Sequence, residues 1–273
     1  MNSRLFIKEN SRINSAVLVA RNREFIRRFL IGLCFLFYLF SSSAYAYSFI
    51  VFGDNQGNYR VLNDLLAKVK QEKNISFIIH TGDCVPYGEE AHYIKYRKIM
   101  AALKIPYYQA MGNHDGVYGG WRRFKKYYGP SYYSFDHQNS HFIVLDNAFK
   151  QNFDDKQFSW LKNDLAKTTA RYKFVIMHKP TFDPSETYKD HIMSGRAVIE
   201  ELMALFTKYK VNYVLAGHIH GYAKSERNGV TYIVSGGGGG PLYLPRDFGG
   251  FYNYVRIDVE DRGITDSVKR VYD

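Results

Sequence analysis

Five short stretches of the 273-residue chain carry side chains suited to holding metal ions: Gly53-Asp54-Asn55-Gln56, Gly82-Asp83, Gly112-Asn113-His114-Asp115, His178, and Gly217-His218-Ile219-His220. Together they offer carboxylates, carboxamides and imidazoles. Such oxygen and nitrogen donors favour Mn, Fe, Zn or Mg over metals that seek thiolates. Two neighbouring ions need about four protein ligands each, with one carboxylate shared, and this inventory is large enough. Two divalent ions about 4 Å apart activate water and clamp a phosphoryl group for in-line displacement. A lone Gly-Asp pair says nothing; the ordered set, each member at the end of an apolar run, says a great deal.

Those apolar runs are the elements that must position the clusters. SFIVFGD (48–54) reads as a strand, followed by a helix with Val61, Leu62, Leu65, Leu66 and Val69 on one face. SFIIHTGD (76–83) repeats the arrangement, a second helix runs to about Leu103, and PYYQAMGNHD (106–115) is a third strand ending in a polar cluster. YYSFDHQNSHFIVLD (132–146) predicts a hairpin with its turn at His137 to Ser140. Helices around Phe158, Leu161 and Leu165, and over Ala197 to Lys208, lead to or from the strands YKFVIMHKP (172–180) and VNYVLAGHIH (211–220). The last quarter predicts antiparallel strands with Asn228-Gly229 as a hairpin turn. The order is βαβαβ first and mixed strands after, an α/β domain with sheets packed between helices. Every cluster falls at the C-terminal end of a strand, where open α/β sheets place their ligands. The glycine that opens four of the clusters is expected to let the backbone turn sharply there.

Residues 1–46 read differently. Arg21, Arg23, Arg27 and Arg28 precede an apolar run of 12 residues, Phe29 to Phe40, and Ala44 and Ala46 then stand at the spacing of a cleavage site. A basic region, a short apolar core and small residues predict a signal peptide over 1–46, hence a periplasmic or secreted protein. An apolar run of that length is too short to cross a bilayer as a helix, so no transmembrane segment is expected in the mature chain. Residues 47–273, undivided by any linker or repeat, would carry 30 Lys+Arg against 24 Asp+Glu, with Cys84 as the single cysteine. One cysteine allows no intramolecular disulfide in an export compartment. The basic surplus suits a small anionic substrate. Its residues are scattered and no recognition helix or RNA-binding motif stands out, so specific nucleic-acid binding is not expected.

At these motifs, and in their order, the sequence resembles the calcineurin-like metallophosphoesterase superfamily over nearly all of residues 47–273. The resemblance implies a four-layer α/β/β/α sandwich, two mixed sheets flanked by helices, with a metal site at the C-terminal ends of the strands. It implies two divalent metal ions, Mn or Fe favoured and Zn or Mg as alternatives. Asp54, Gln56, Asp83 and His220 would hold one ion; Asp83 as the bridge, Asn113, His178 and His218 would hold the other. His114 would act as general acid or phosphate-oxygen donor, oriented by Asp115. The implied activity is hydrolysis of a small phosphorylated substrate (a phosphomonoester, phosphodiester or nucleotide) by in-line attack of a metal-bridging hydroxide.

Two positions depart from the family pattern. Gln56 stands where the family usually has His, and a neutral amide oxygen is a weaker donor that favours harder ions. Gln56 also supports an alternative, a catalytically degraded fold that binds a phosphate ester or a partner. GHIHGY and VTYIVSGGGGGPLY look similar to the purple acid phosphatase branch, but the Tyr that branch places three residues after the second Asp is Pro86 here, with Tyr87 one step out of register. The expectation is therefore a colourless divalent pair.

Other residues draw blander readings. His80 is expected to be a buried, hydrogen-bonded histidine, His92 to be at the surface, and His137 and His141 to flank a turn without chemistry. Cys84 reads as a small packed side chain. Gly236 to Gly240 lacks the Lys-Ser/Thr of a phosphate-binding loop and reads as a tight loop near the site. The segment around His191 either roofs the pocket or merely connects.

Overall fold

The computed structural model describes residues 46–188 and 190–273; the signal peptide expected over 1–46 lies, Ala46 aside, outside the described residues. Among the described residues no helix is long and apolar enough to cross a membrane. The described residues form eleven strands, numbered in chain order, in two mixed sheets. In the first, β1 (Tyr47–Phe52), β2 (Ile75–His80) and β3 (Tyr107–Gln109) run parallel, and β10 (Asn253–Glu260) and β11 (Gly263–Arg270) extend it antiparallel beyond β1. In the second, β5 (Ser140–Val144), β6 (Tyr172–Ile176), β7 (Tyr213–Ala216) and β9 (Val230–Ser235) are parallel, with β4 (Tyr133–His137) and β8 (Tyr222–Arg227) as antiparallel edges.

The side-chain alternation of the strands builds the layers. On β1, Phe49 and Val51 point into the space between the sheets, while Ile50 and Phe52 face the helices. The inner layer is aromatic: the Phe49 ring meets those of Phe142 and Phe174 edge to face, at 5.3 and 5.2 Å between centroids. Outside the first sheet lie α1 (Tyr59–Val69), α2 (Glu90–Ala101) and α4 (Gly120–Tyr128), which contribute Leu62, Leu65, Tyr93, Tyr96 and Phe124 to a second apolar layer. Outside the second sheet, α5 (Asp155–Lys167) and α6 (Arg196–Lys208) bury Leu161, Leu165, Leu202 and Phe206 against Val175 and Val214. Three apolar layers separating four structural ones make an α/β/β/α sandwich. Strands buried on both faces explain why the sequence shows near-continuous apolar runs at 49–52 and 77–79.

Two elements go beyond the sequence expectation. A single helical turn, α3 (Asn113–Gly116), replaces the straight strand end read at Gly112 to Asp115, and α4 follows it at once. His141 also has a part to play: its Nδ1 lies 2.6 Å from Asp136 and its Nε2 2.8 Å from Asp164, so it ties the β4–β5 hairpin to α5.

Candidate active site

The loops that leave β1, β2, β3, β6 and β7 converge at one edge of the two sheets. Pairing continues beyond the strands there: the Asp54 N–H donates to the Gly82 carbonyl (2.9 Å) and that of Gln56 to the Asp83 carbonyl (3.1 Å). The backbone is strained at these ends. Asp54 (φ 61°), Gln56 (41°), Asp83 (56°) and His218 (67°) all adopt the left-handed region. Non-glycine residues there cost roughly 1–3 kcal/mol each and persist only where the surroundings hold them. Apart from Gly82, the preceding glycines serve a different purpose from the one expected. Only Gly82 among them has positive φ; a Cβ on Gly112 would sit 2.1 Å from Asp83 Oδ1, and one on Gly217 would sit 2.3 Å from Asp54 Oδ2. Gly112 and Gly217 are glycines because carboxylates press against the backbone, Gly53 because Thr81 Oγ1 does, and Gly82 both adopts positive φ, as expected, and packs against His178.

Two groups of donor atoms form, each with its atoms within 4.8 Å of one another: Asp54, Asp83 and His220, and Asp83, His178 and His218. Asp83 belongs to both. In the second group, His178 Nε2 lies 3.0 Å from Asn113 Oδ1, 3.2 Å from His218 Nδ1 and 3.5 Å from Asp83 Oδ1. In the first, His220 Nε2 lies 3.5 Å from Asp54 Oδ1 and 3.2 Å from Gln56 Nε2, which is itself 3.0 Å from Asp83 Oδ2. Ligands about 2.1 Å from a metal sit about 3.0 Å apart in an octahedron and about 3.4 Å apart in a tetrahedron, the separations seen here. The tautomers sharpen the point. His178 Nδ1 donates to the Thr81 carbonyl (3.0 Å) and His220 Nδ1 to the Pro241 carbonyl (2.6 Å). His178, kept neutral by burial, then turns a bare Nε2 lone pair toward carboxylate and amide oxygens, while His220 Nε2 faces the Asp54 carboxylate, which outweighs burial and raises the His220 pKa. Lone pairs that converge without hydrogens between them call for cations, and the residues present fit a pair of them. Gln56 faces this space with its NH2 group; turning the amide over presents Oε1 instead.

The electrostatics agree. Burial drives His178 down to about 3 and His218 down to about 2, so both are neutral imidazoles ready to donate a lone pair. Burial lifts Asp54 to about 7, although His220 opposes this, so keeping Asp54 as a carboxylate costs energy that a cation would offset. Lys179, half-buried beside His178, is pushed down by burial and partly restored by the charge of Asp83. It is a cation near the site that no motif announced.

His114 and Asp115 separate. The His114 ring donates from Nδ1 to the Pro86 carbonyl (2.7 Å), leaving Nε2 turned toward the centre, 4.0 Å from Asp83 Oδ2. Asp115 was expected to orient that ring, and it does not. Its carboxylate accepts the N–H groups of Asp83 (2.8 Å), Cys84 (2.9 Å), Val85 (3.2 Å) and Gly112 (2.8 Å), and so fixes the loop that carries Asp83. Adjacent residues on a helical turn point about 100° apart, so sequence neighbours in α3 serve different partners.

The surrounding shell contains further residues. His80 is fully buried, accepts from the Gly82 N–H (3.2 Å) at Nδ1 and lies 2.8 Å from Asn55 Oδ1, a structural role as expected. Cys84 is fully buried. The glycine run backs the site, with Gly238 N–H donating to Gly53 (2.9 Å) and Gly240 N–H to Asp54 (2.6 Å). His191 borders the site, its ring 5.8 Å from that of His218 and 5.3 Å from that of Tyr243. Tyr243 itself stacks on His220 at 4.0 Å, and Asn147 Oδ1 accepts from the N–H of His178 (3.0 Å). Neither was read as a site residue from sequence: Asn147 lies in a loop outside the motifs, and Tyr243, though it closes the segment VTYIVSGGGGGPLY, gave no spacing that paired it with His220.

The family model for calcineurin-like phosphoesterases matches residues 47–222. Purple acid phosphatase 23 of Arabidopsis thaliana is 31% identical over 133 residues, covering 48% of this chain and 28% of that protein. Among solved structures, a purple acid phosphatase from seeds of yellow lupin (Lupinus luteus) superposes with a TM-score of 0.65 at 16% identity, over 84% of this chain and 52% of that one. GAP50, the anchor in the inner membrane complex of Plasmodium, has the same TM-score of 0.65 at 16% identity, over 83% of this chain and 85% of its own. The chain thus spans about a quarter of the length of the curated relative it matches. The lupin and Plasmodium structures share its fold. With the family model matched over most of the chain and its motifs gathered at one sheet edge, this chain belongs to the calcineurin-like phosphoesterase family.

Proposed function

We propose that this chain is an exported hydrolase of phosphoric esters that works with two divalent metal ions, Mn or Fe in preference to Zn or Mg. Asp54, Gln56, Asp83 and His220 would hold one ion, and Asp83, Asn113, His178 and His218 the other. The observation that carries this reading is the convergence of His178 Nε2 and His220 Nε2 on oxygens of Asp83, Asn113 and Asp54. When bound, such ions supply Lewis acidity and an activated water. The protein supplies the rest. With Nδ1–H committed to Pro86, His114 presents Nε2 to the substrate; as imidazolium it donates to a phosphate oxygen or protonates the leaving oxygen, and as imidazole it takes the proton back. Lys179 adds positive charge for an anionic ester. Export rests on the basic, apolar and small-residue order of residues 1–46.

The test is add-back: protein stripped of metal receives Mn, Fe(II), Zn or Mg singly, with a generic phosphomonoester and phosphodiester as substrates. Turnover restored by Mn or Fe(II) is the expected result; none with any metal from folded protein would contradict it. A second reading, a phosphate-ester or partner-binding protein without turnover, draws on Gln56 and on the anchor protein that shares this fold. It predicts ester binding with no product under every metal.

A further inference from the structure

Exposed tyrosines are ordinary when they stand alone. Tyr87 and Tyr118 do not stand alone. They are 48% and 71% exposed, meet edge to face at 5.6 Å between centroids, and lie at the mouth of the candidate centre. The Tyr87 ring is 6.3 Å from that of His114, at 32° to it.

Both rings project from backbone that is held in place. Tyr118 has φ 52°, a conformation that bulky residues rarely adopt without support. The support is visible. Arg123 Nη1 donates to the Gly88 carbonyl (2.7 Å) and to the Tyr118 carbonyl (2.9 Å), joining the loop after β2 to the loop after α3. Gly88 and Gly120 pack so closely that a Cβ on Gly88 would fall 2.5 Å from the Gly120 Cα. His92 Nδ1 lies 3.1 Å from the Tyr87 carbonyl and steadies that loop from α2. Across the site, the Tyr243 face is already taken by His220. Tyr87 and Tyr118 are the aromatic pair beside His114 that leaves ring surface free.

We propose that Tyr87 and Tyr118 form an aromatic platform that selects phosphoesters whose leaving group is a planar ring. The inference deepens the hydrolase reading and rests on it for placing the phosphoryl group at His114. A leaving group whose oxygen faces His114 extends over Tyr87, and the edge-to-face partner closes one side. Offset or edge-to-face contact between rings strengthens binding by up to roughly tenfold beyond area burial.

The experiment compares binding of non-hydrolysable probes to the metal-loaded full chain by calorimetry: methylphosphonate, phenylphosphonate and a nucleoside phosphonate. An aromatic probe is expected to bind roughly tenfold more tightly than methylphosphonate. The preference should vanish in Tyr87→Ala/Tyr118→Ala and persist in Tyr87→Phe/Tyr118→Phe, with circular dichroism and metal content unchanged in both. Whichever aromatic probe shows it tells whether the ring sits on the ester oxygen or on a sugar. Equal affinities for all three probes, no binding of any, or a preference that survives the double alanine change would overturn the platform. Turnover of phenyl phosphate and glycerol phosphate by the same protein is scored separately. A binding preference without turnover sinks the hydrolase and keeps the platform; turnover with equal probe affinities does the reverse.

Discussion

In the proposed two-metal site, Gln56 is the residue on which the chemistry of the first ion would turn. Its amide sits 3.2 Å from His220 Nε2 and 3.0 Å from Asp83 Oδ2, in the place of a ligand. A neutral amide oxygen binds a divalent ion more weakly than imidazole does, and the deficit is larger for Zn than for Mn or Mg. Gln56→His should therefore tighten the weaker of the two ions and move preference toward Zn. Changes one layer farther out already alter affinity by roughly 10–100-fold, so a shift on the order of tenfold in a chelator competition is expected. Unchanged affinity and unchanged metal order would show that Gln56 does not reach the ion. The four proposed ligands with positive φ make a related point: Asp54, Gln56, Asp83 and His218 are held in costly backbone by the glycine contacts and loop hydrogen bonds around them.

At the scale of elements, the loop after β2 depends on α3. Asp115 accepts four backbone N–H groups, three of them from Asp83 to Val85. Asp115→Asn replaces one acceptor oxygen with an NH2 group that faces N–H donors. Leaving buried donors unsatisfied costs about 1–3 kcal/mol each, so a loss of that order is expected in denaturant melts. Metal affinity should fall too, because Asp83 loses its anchor; a variant with wild-type stability and metal binding would refute this role. A second tie is pH-sensitive. Burial lowers the His141 pKa, but its hydrogen bonds to Asp164 and Asp136 outweigh that and hold it above the ordinary imidazole range. Its contribution is then complete below about 6.5 and fades as pH rises through the raised value. With Asp136 exposed, the tie is worth on the order of 1 kcal/mol. The melting-temperature gap between wild type and His141→Gln should be wider at pH 6 than at pH 9; an equal or reversed gap would contradict the assignment. These two ties also mark where the sequence stops being readable. Strand ends at Asp54, Asp83, His178 and His218 were legible because near-continuous apolar runs end in polar groups, with a glycine before each but His178. The roles of Asp115 and His141 were not, because each acts through a partner about 30 or 23 positions away, which no local pattern encodes.

For the molecule as a whole, two sheets back to back bring the C-terminal ends of β1, β2 and β3 together with those of β6 and β7. Strand and helix order read as an α/β domain with sheets packed between helices, the four-layer sandwich was what the family resemblance implied, and its three apolar layers follow from alternation on doubly buried strands. Loop placements such as Tyr243 on His220 were not, since they depend on how distant turns pack. One consequence is thermodynamic: buried carboxylates and bare imidazoles at the junction destabilise the metal-free protein, and ions that bind only the folded state stabilise it. Raising Mn from 10 to 1,000 times its dissociation constant should add roughly 2.7 kcal/mol per site, read as a rising melting temperature.

The most direct measurement counts metal by mass spectrometry in the full chain equilibrated with Mn and dialysed, beside the variant Asp83→Asn. Two ions per wild-type chain, falling to one or none when the shared carboxylate is lost while the fold persists, is the predicted result. A wild-type chain that holds no Mn, Fe, Zn or Mg, or an Asp83→Asn variant that still holds two ions, would contradict the central claim that Asp83 joins two metal sites.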